Sequence, residues 1–502
     1  MTNNNKKNRQ IPHSLKPDYR NKNFEEVESN FTDEQAQIEA KRCLECKKPK
    51  CVQGCPVNVN IPGFISEIKK GNIEEAGKII RETNALPSVC GRVCPQEKQC
   101  EGACVLGIKG EPVAIGALER YIGDNTSPEL PKDYFNSVTV TLNSFQGLPK
   151  GESLPESQTG QMLNQVQHDK GKNCMKVAIV GSGCAGMSAA ADLAKAGHSV
   201  TIFEALHSVG GVLRYGIPEF RLPRKVLDRE IEYLKQLGVE FKTNVVIGKS
   251  LTINDLFEEG FKAIFICSGA GLPMLLHIHG ESFNGVYSAN EFLTRINLMK
   301  AHDKNYHTPI RIGKKVAVIG GGNTAMDSAR VAKRIGFDEV TIVYRRSEAE
   351  LPARLAEIEH AKEEGIKFML LHSPVEITGE DGYVIGLKLQ VMELGEPDAS
   401  GRRSPVPVES KIIDMDVDTV IVALGTSPNP IIQRSVVEEN IDLKVNAKGY
   451  IITNPDTGET SIKGVWAGGD ISPAGTSNAI NAMGAGKRAA ASINEYLLSS
   501  RT

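Results

Sequence analysis

One pattern occurs twice in this chain and limits its folds more than any other. It is an apolar strand, a glycine turn, a helix and a second apolar strand. The first copy runs Lys176-Val-Ala-Ile-Val180, Gly181-Ser-Gly183-Cys-Ala-Gly186, an Ala-rich helix from Met187 to Ala196, then Val200-Thr-Ile-Phe-Glu204. The second runs Lys315-Val-Ala-Val-Ile319, Gly320-Gly-Gly322-Asn-Thr-Ala325, then Glu339-Val-Thr-Ile-Val-Tyr344. Parallel strands need such crossover helices, so the expected fold class is α/β with two doubly wound units. The glycines allow a tight turn and close backbone approach to a pyrophosphate, and the helix N-terminus offers its unpaired N–H groups.

The two copies end differently. Glu204 closes the second strand of the first copy, where a carboxylate accepts from ribose hydroxyls. In the second copy Arg345-Arg346 stands there instead. Guanidinium groups bind a 2′-phosphate that a carboxylate would repel, so this site points to NADP(H). The candidate nucleotide-binding residues are Gly181, Gly183, Gly186 and Glu204, and Gly320, Gly322, Ala325, Arg345 and Arg346.

Eight of the eleven cysteines precede these units in two groups. One reads Cys43-x2-Cys46-x4-Cys51-x3-Cys55-Pro56. The other reads Cys90-x3-Cys94-Pro95-x4-Cys100-x3-Cys104. Clustered thiols in a reducing compartment hold metal, and short steps followed by proline fit iron–sulfur loops better than zinc ribbons. Spacing alone suggests two four-cysteine clusters.

The 502 residues imply several domains. A net charge of -2 gives no field for nucleic acid or an anionic membrane. The longest apolar runs are far too short for a bilayer, and Met1 to Lys7 has no apolar signal core, so a cytoplasmic location is expected. Residues 1–20 read as disordered. Thr32 to Cys43 reads as a capped helix, and Ile61 to Leu86 as helical with Phe64, Ile65, Ile68, Ile73 and Ile79 as apolar positions. Residues 128–173 are rich in Ser, Gln, Asn, Gly and Pro and read as a flexible linker or insertion.

Near the C-terminus, Gly464-Val-Trp-Ala-Gly468-Gly469-Asp470 resembles the closing motif of two-dinucleotide flavoproteins. It implies that Gly469 and Asp470 contact the flavin's ribityl–phosphate chain. Further segments are Arg42-Cys-Leu-Glu-Cys46, Gly91-Arg-Val-Cys-Pro-Gln-Glu97, Gly211-Val-Leu-Arg-Tyr-Gly-Ile-Pro218 and Tyr344-Arg-Arg346. With them, nearly the whole chain resembles the glutamate synthase small (β) subunit. It is also similar to the large subunit of NADH-dependent ferredoxin–NADP oxidoreductase and the N-terminal half of dihydropyrimidine dehydrogenase.

The resemblance implies a helical iron–sulfur domain over residues 21–127, followed by an FAD domain whose halves, 174–300 and 425–499, enclose an NADPH domain at 301–424. Gly269 and Gly425 would mark the crossings. The implied cofactors are FAD, NADPH and two [4Fe–4S] clusters. One cluster would use Cys43, Cys46, Cys51 and Cys104. The other would use Cys55, Cys94, Cys100 and Glu119, leaving Cys90 spare. Gly211 would lie near the flavin. Cys174, Cys184 and Cys267 read as non-ligands.

The implied activity passes electrons from NADPH through FAD and the clusters toward glutamate synthesis from glutamine and 2-oxoglutarate, with a large partner subunit. The alternative is a bifurcating subunit serving ferredoxin and a second flavoprotein subunit. Association with further copies of the chain is compatible with either. A flavin disulfide reductase would need a cysteine pair by the flavin, whereas only Cys184 and Cys267 follow residue 175, far apart in the chain.

Overall fold

The computed structural model describes residues 8–126, 174–473 and 478–499. The expected linker at 128–173 lies outside the described residues.

The first glycine copy builds a parallel sheet ordered β15-β4-β1-β2-β3. Its strands are β1 (Lys176–Val180), β2 (Ser199–Phe203), β3 (Glu240–Lys242), β4 (Ala263–Ile266) and β15 (Val465–Ala467). Val177 to Val180 are all buried, as expected of a strand covered on both faces. The second copy builds a like sheet ordered β6-β13-β7-β8-β9. It contains β6 (Val286–Ser288), β7 (Lys315–Ile319), β8 (Glu339–Tyr344), β9 (Lys367–Leu370) and β13 (Thr419–Val422). The fold is thus α/β, with two parallel sheets behind a helical segment.

The chain crosses between the sheets along a two-stranded ribbon, β5 (Leu272–Pro273) against β14 (Thr426–Ser427). The Met274 N–H also donates to the Gly425 carbonyl at 3.0 Å. This corrects the expected boundary at residue 300. Strand β6 pairs with β13, and Ala289, Phe292, Leu293 and Ile296 join the core of the second sheet. The switch therefore falls near residue 272. A three-stranded antiparallel sheet, unforeseen from the sequence, joins the second unit: β10 (His372–Glu380), β11 (Tyr383–Pro397) and β12 (Arg403–Asp416).

In the helical segment, the Thr32 hydroxyl accepts from the Gln35 N–H, and Gln35 Oε1 accepts from the Thr32 N–H. This capping box starts the helix Asp33–Ala40. Ile61 to Leu86 splits into helices Ile61–Lys70 and Ile73–Arg81, because Gly71 adopts φ +82° and ends the first. Phe64, Ile65 and Ile68 are buried there, but Ile80 rather than Ile79 faces the interior of the second helix. These helices have no separate core. Their side chains join one cluster with Val177, Ile179 and Met187 of the first sheet unit.

Residues 8–20 correct a second expectation. They are not loose. Arg9 pairs with Glu101 at 2.6 Å, and the buried Arg20 pairs with Glu363 at 2.6 Å and Glu364 at 2.9 Å. The arm is polar because its partners include the buried carboxylates of Glu101 and Glu364, a pairing that composition does not reveal.

The two sheet units also share a buried ionic seam. Arg221 contacts Asp327 at 2.8 Å and Glu357 at 2.9 Å. Arg330 and Arg334 hold Glu364 and lie over the Phe220 ring at 4.7 and 3.8 Å. Breaking one partner of such a network leaves an uncompensated buried charge, at a cost of about 3–5 kcal/mol. Among the described residues no helix is long and apolar enough to cross a membrane.

Candidate functional site

The first glycine turn has its third glycine against backbone and its second open. A Cβ at Gly186 would lie 2.1 Å from the Gly181 carbonyl oxygen. Nothing lies within 4 Å of a Cβ at Gly183, so the turn leaves backbone uncovered where a phosphate approaches. Gly181 adopts φ +114°, and a Cβ there would lie 2.6 Å from the Cys267 carbonyl oxygen, too close for any side chain.

Glu204 is buried at the end of β2. Its Oε2 accepts from the Ser182 N–H at 3.1 Å and from the Ser182 hydroxyl, and its Oε1 accepts from the Leu206 N–H at 2.9 Å. Ser182 Oγ in turn accepts from the Gly210 N–H at 2.9 Å. The sequence reading missed Ser182, although its place inside the glycine turn could have marked it.

The distant motif residues converge on this turn. Gly211 rests on Gly183, and Gly469 on Ala185. A Cβ at Gly486 would lie 2.2 Å from the Ala185 carbonyl, so helix Ala479–Ser499 packs directly on helix Cys184–Lys195. Burial pushes the Asp470 carboxyl up, and its Oδ1 is buried without a hydrogen-bond partner among the described residues. Tyr215 is pushed up to about 12 by burial, aided by the charges of Glu204 and Asp470. These acids therefore border one site.

At the second turn Gly322 is similarly open, and Ala325 is fully buried against the sheet. The two arginines part company. Arg345 is exposed, with no ion pair among the described residues. Arg346 is buried, donating from Nε to the Arg403 carbonyl at 2.7 Å and pairing with Asp398 at 2.5 Å. It fastens β8 to the antiparallel sheet, so only Arg345 is free to meet a ligand.

A strap missed by the sequence reading joins this turn to the cysteines. The Arg354 N–H donates to Asn323 Oδ1 at 2.9 Å. Its guanidinium donates to the Arg92 carbonyl at 2.8 Å and to Gln96 Oε1 at 2.6 Å.

The structure divides the cysteines across their sequence groups. Cys43, Cys46, Cys51 and Cys104 line one narrow recess, with Leu44, Pro49, Ile61 and Leu106 among its walls. Cys51 is pushed up to about 11 by burial, reinforced by the neighbouring Cys104 and Cys43. Cys55, Cys94, Cys100 and Glu119 form a second, buried set. Burial raises Cys55 to about 11, and both Glu119 and Cys94 add to the rise. Cys100 is raised by burial, then by the charge of Glu101, with Glu119, Cys94 and Cys55 contributing.

Glu119 is pushed up to about 7 by burial, opposed by Asn84, which donates to its Oε1 at 2.7 Å. The Cys90 thiol lies beside this set, 3.6 Å from Asn84 Oδ1 and 3.5 Å from Met483 Sδ. Asn84 carried no signal in the sequence. Met483 belongs to the helix over the first turn, and Cys184 of that turn is raised to about 12 by burial, then by Asp470 and Cys94. The second set therefore adjoins the first nucleotide turn.

Among the described residues no three His, Cys, Asp or Glu side chains converge as the ligands of a single metal ion do. The two sets surround spaces instead. Thiols held protonated by burial become ligands only by losing protons to a metal.

Two family models match the chain. One, dihydropyrimidine dehydrogenase domain II, 4Fe-4S cluster, covers residues 20–129. The other, pyridine nucleotide-disulphide oxidoreductase, covers residues 175–486. The NADP(+)-dependent formate dehydrogenase subunit beta of Moorella thermoacetica is 39% identical over 89% of this chain, which spans 60% of that relative's length. The glutamate synthase [NADPH] small chain of Escherichia coli (strain K12) is 33% identical, with 94% of each chain covered. That of Halomonas elongata is also 33% identical, over 97% of this chain and 96% of its own. A structure of Mycobacterium tuberculosis FprA in complex with NADPH shares the fold, with a TM-score of 0.55 at 21% identity, covering 65% of this chain and 85% of that one.

Proposed function

The chain belongs to the glutamate synthase small-chain family of pyridine nucleotide-disulphide oxidoreductases, and we propose that it is the electron-supplying subunit of such a system, oxidising NADPH. Its electrons serve glutamate synthesis from glutamine and 2-oxoglutarate on a large partner subunit. The observation that carries this reading is the second cysteine set lying beside the first glycine turn, linked through Met483 and Cys184. A nucleotide site next to a metal-ligand set is what electron transfer between them requires.

The residues fit the cofactors. The open backbone at Gly183, the carboxylate of Glu204 and Asp470 Oδ1, unpartnered among the described residues, suit FAD. Open Gly322 and exposed Arg345 suit NADPH. The two interleaved sets suit two [4Fe–4S] clusters, Cys43, Cys46, Cys51 and Cys104 holding one, and Cys55, Cys94, Cys100 and Glu119 the other. When bound, the flavin supplies the change from hydride to single-electron chemistry, and the clusters carry single electrons.

The chain's own residues bind, orient and seal. Glu204 orders Ser182 and the loop at Leu206 for the ribose. Arg345 selects the 2′-phosphate, and Arg346 keeps its strand end in place. The Ala479–Ser499 helix closes over the first turn and excludes water from it. No side chain serves as nucleophile.

Anaerobic mixing tests the reading. NADPH bleaches the flavin absorbance of the holoenzyme, and NADH does so far more slowly. No bleaching by NADPH would overturn the donor assignment. In Arg345→Ala the apparent affinity for NADPH falls roughly tenfold to a hundredfold, the scale of one lost charge-assisted contact, with little change for NADH.

A further inference from the structure

A charged cleft of about 480 Å³ lies where three regions of the chain meet. The N-terminal arm borders it with Glu26 and Glu28. Helices Pro87–Val93 and Ile115–Asn125 of the helical segment border it with Arg92, Arg120 and Asp124. Helix Arg224–Gln236 of the first sheet unit adds Lys225 and Arg229. Arg120 and Asp124 are four residues apart on one helix, as are Lys225 and Arg229 on the other, so each pair shares a helix face. The volume is that of a small-molecule pocket. None of these residues belongs to a glycine turn or a cysteine set.

Much of the charge is spent within the walls. Arg92 holds Glu26 and Asp124, each at 2.6 Å. Arg229 donates to Ser88 Oγ at 2.7 Å and to the Gly123 carbonyl at 2.8 Å. The rest is not spent. Arg120 is 5% exposed, yet its Nε is buried without a hydrogen-bond partner among the described residues, with Asp124 Oδ2 at 3.9 Å. Arg229 Nε is also buried and unpartnered among the described residues. Lys225 is exposed, with no ion pair among the described residues. The Glu28 carboxylate accepts no hydrogen bond among the described residues; Arg120 Nη1 is 4.0 Å from it and His360 Nε2 3.9 Å.

A water-filled cleft between regions would account for the volume and the ion pairs. It does not account for a buried guanidinium N–H left unpaired, because burying a donor without an acceptor is costly. The unspent donors on Arg120, Arg229 and Lys225 suit carboxylates. The unspent acceptor on Glu28 suits an ammonium. Four cations against three carboxylates leave the walls at +1, which an occupant of charge −1 neutralises. The three wall acids disfavour a polyphosphate.

We propose that this cleft binds an acidic α-amino acid, with its carboxylates on Arg120, Arg229 and Lys225 and its ammonium on Glu28. The α-carboxylate and α-ammonium of such a molecule are close neighbours, as Arg120 and Glu28 are across the cleft. An occupant touches the arm, the helices next to the second cysteine set and the first sheet unit at once, and so holds the three together. Binding does not depend on the proposed reaction. In a glutamate-forming system the ligand is the product, and only that meaning rests on the proposed function.

Calorimetry on the holoenzyme with L-glutamate tests the site, with glutarate, the same carbon chain without the ammonium, as its comparison. One L-glutamate binds per chain with a dissociation constant of roughly millimolar or tighter, and glutarate binds roughly tenfold more weakly. Lys225→Ala weakens L-glutamate by roughly threefold to tenfold. Glu28→Gln weakens L-glutamate and removes its advantage over glutarate, a change of preference that a merely structural role would not produce. Iron content and flavin bleaching by NADPH stay unchanged in both variants, which shows that they are folded.

Absent binding of L-glutamate, equal binding of glutarate, or unaltered binding by both variants overturns the proposal. Loss of bleaching by NADPH in the unaltered holoenzyme would instead sink the proposed function and leave the site standing.

Discussion

Cys43, Cys46, Cys51 and Cys104 line a recess that opens between Leu44 and a run of exposed lysines. Cys55, Cys94, Cys100 and Glu119 lie sealed between the helical segment and the helix that closes the first glycine turn. The first set can lose a thiol and leave a wetter recess. The second cannot, because Cys55, Cys94 and Cys100 are buried members of the core shared with the first sheet unit, whereas Cys43, Cys51 and Cys104 are only partly buried against it. The difference teaches that two side-chain sets of similar chemistry play unequal structural parts. One is a port on the surface. The other is part of the joint between two regions.

The largest expected effect comes from breaking the buried set. Cys94→Ala should lower iron from about eight atoms per chain to about four or fewer, and most of the soluble protein should be lost with it. Cys51→Ala should also remove about four irons but leave a folded, flavin-loaded chain. Iron analysis and thermal melts of both variants check this. Equal losses of stability would end the comparison.

Glu119→Gln has the next largest effect. It removes a negative charge from the buried set while a side-chain oxygen still faces Asn84. The midpoint potential of that centre should rise by an amount on the order of tens of millivolts, with the other centre unmoved. Potentiometric titration followed by electron paramagnetic resonance reads both. An unmoved potential would remove Glu119 from the ligand set.

The smallest effect is expected at Cys90. Its thiol is buried between Asn84 and Met483. Cys90→Ala should leave iron content unchanged and cost about 1 kcal/mol of stability, the cost of a small buried truncation. Loss of iron in this variant would make Cys90 a ligand and redraw the second set.

The sequence pattern was a good guide where function and fold ask for the same residues. Both strand–turn–helix copies are visible because an apolar run, glycines and small helix residues all point to one geometry. Elsewhere the pattern misled or was silent. The boundary expected at residue 300 missed β6, whose three residues are too short to carry a periodic signal. Arg345 and Arg346 look alike in the chain, yet only Arg345 is free, because Asp398 and the Arg403 carbonyl lie more than fifty residues away. Asn84 and Arg354 have no local mark, since their partners come from other parts of the chain.

What this sequence determined by itself is chemistry and local geometry: thiols for metal, glycine turns for phosphates, a carboxylate at one strand end and guanidinium groups at the other. These follow from residue type and short spacing. The tertiary structure alone decided how they combine. It carried Cys104 to the first thiols and Cys55 to Cys94 and Cys100, and it folded Gly469 and Asp470 back onto a turn nearly three hundred residues earlier. Spacing in the chain sets which residues can be neighbours within a turn or two. Which distant segments meet is decided by burial of the shared core, and that is a property of the whole chain.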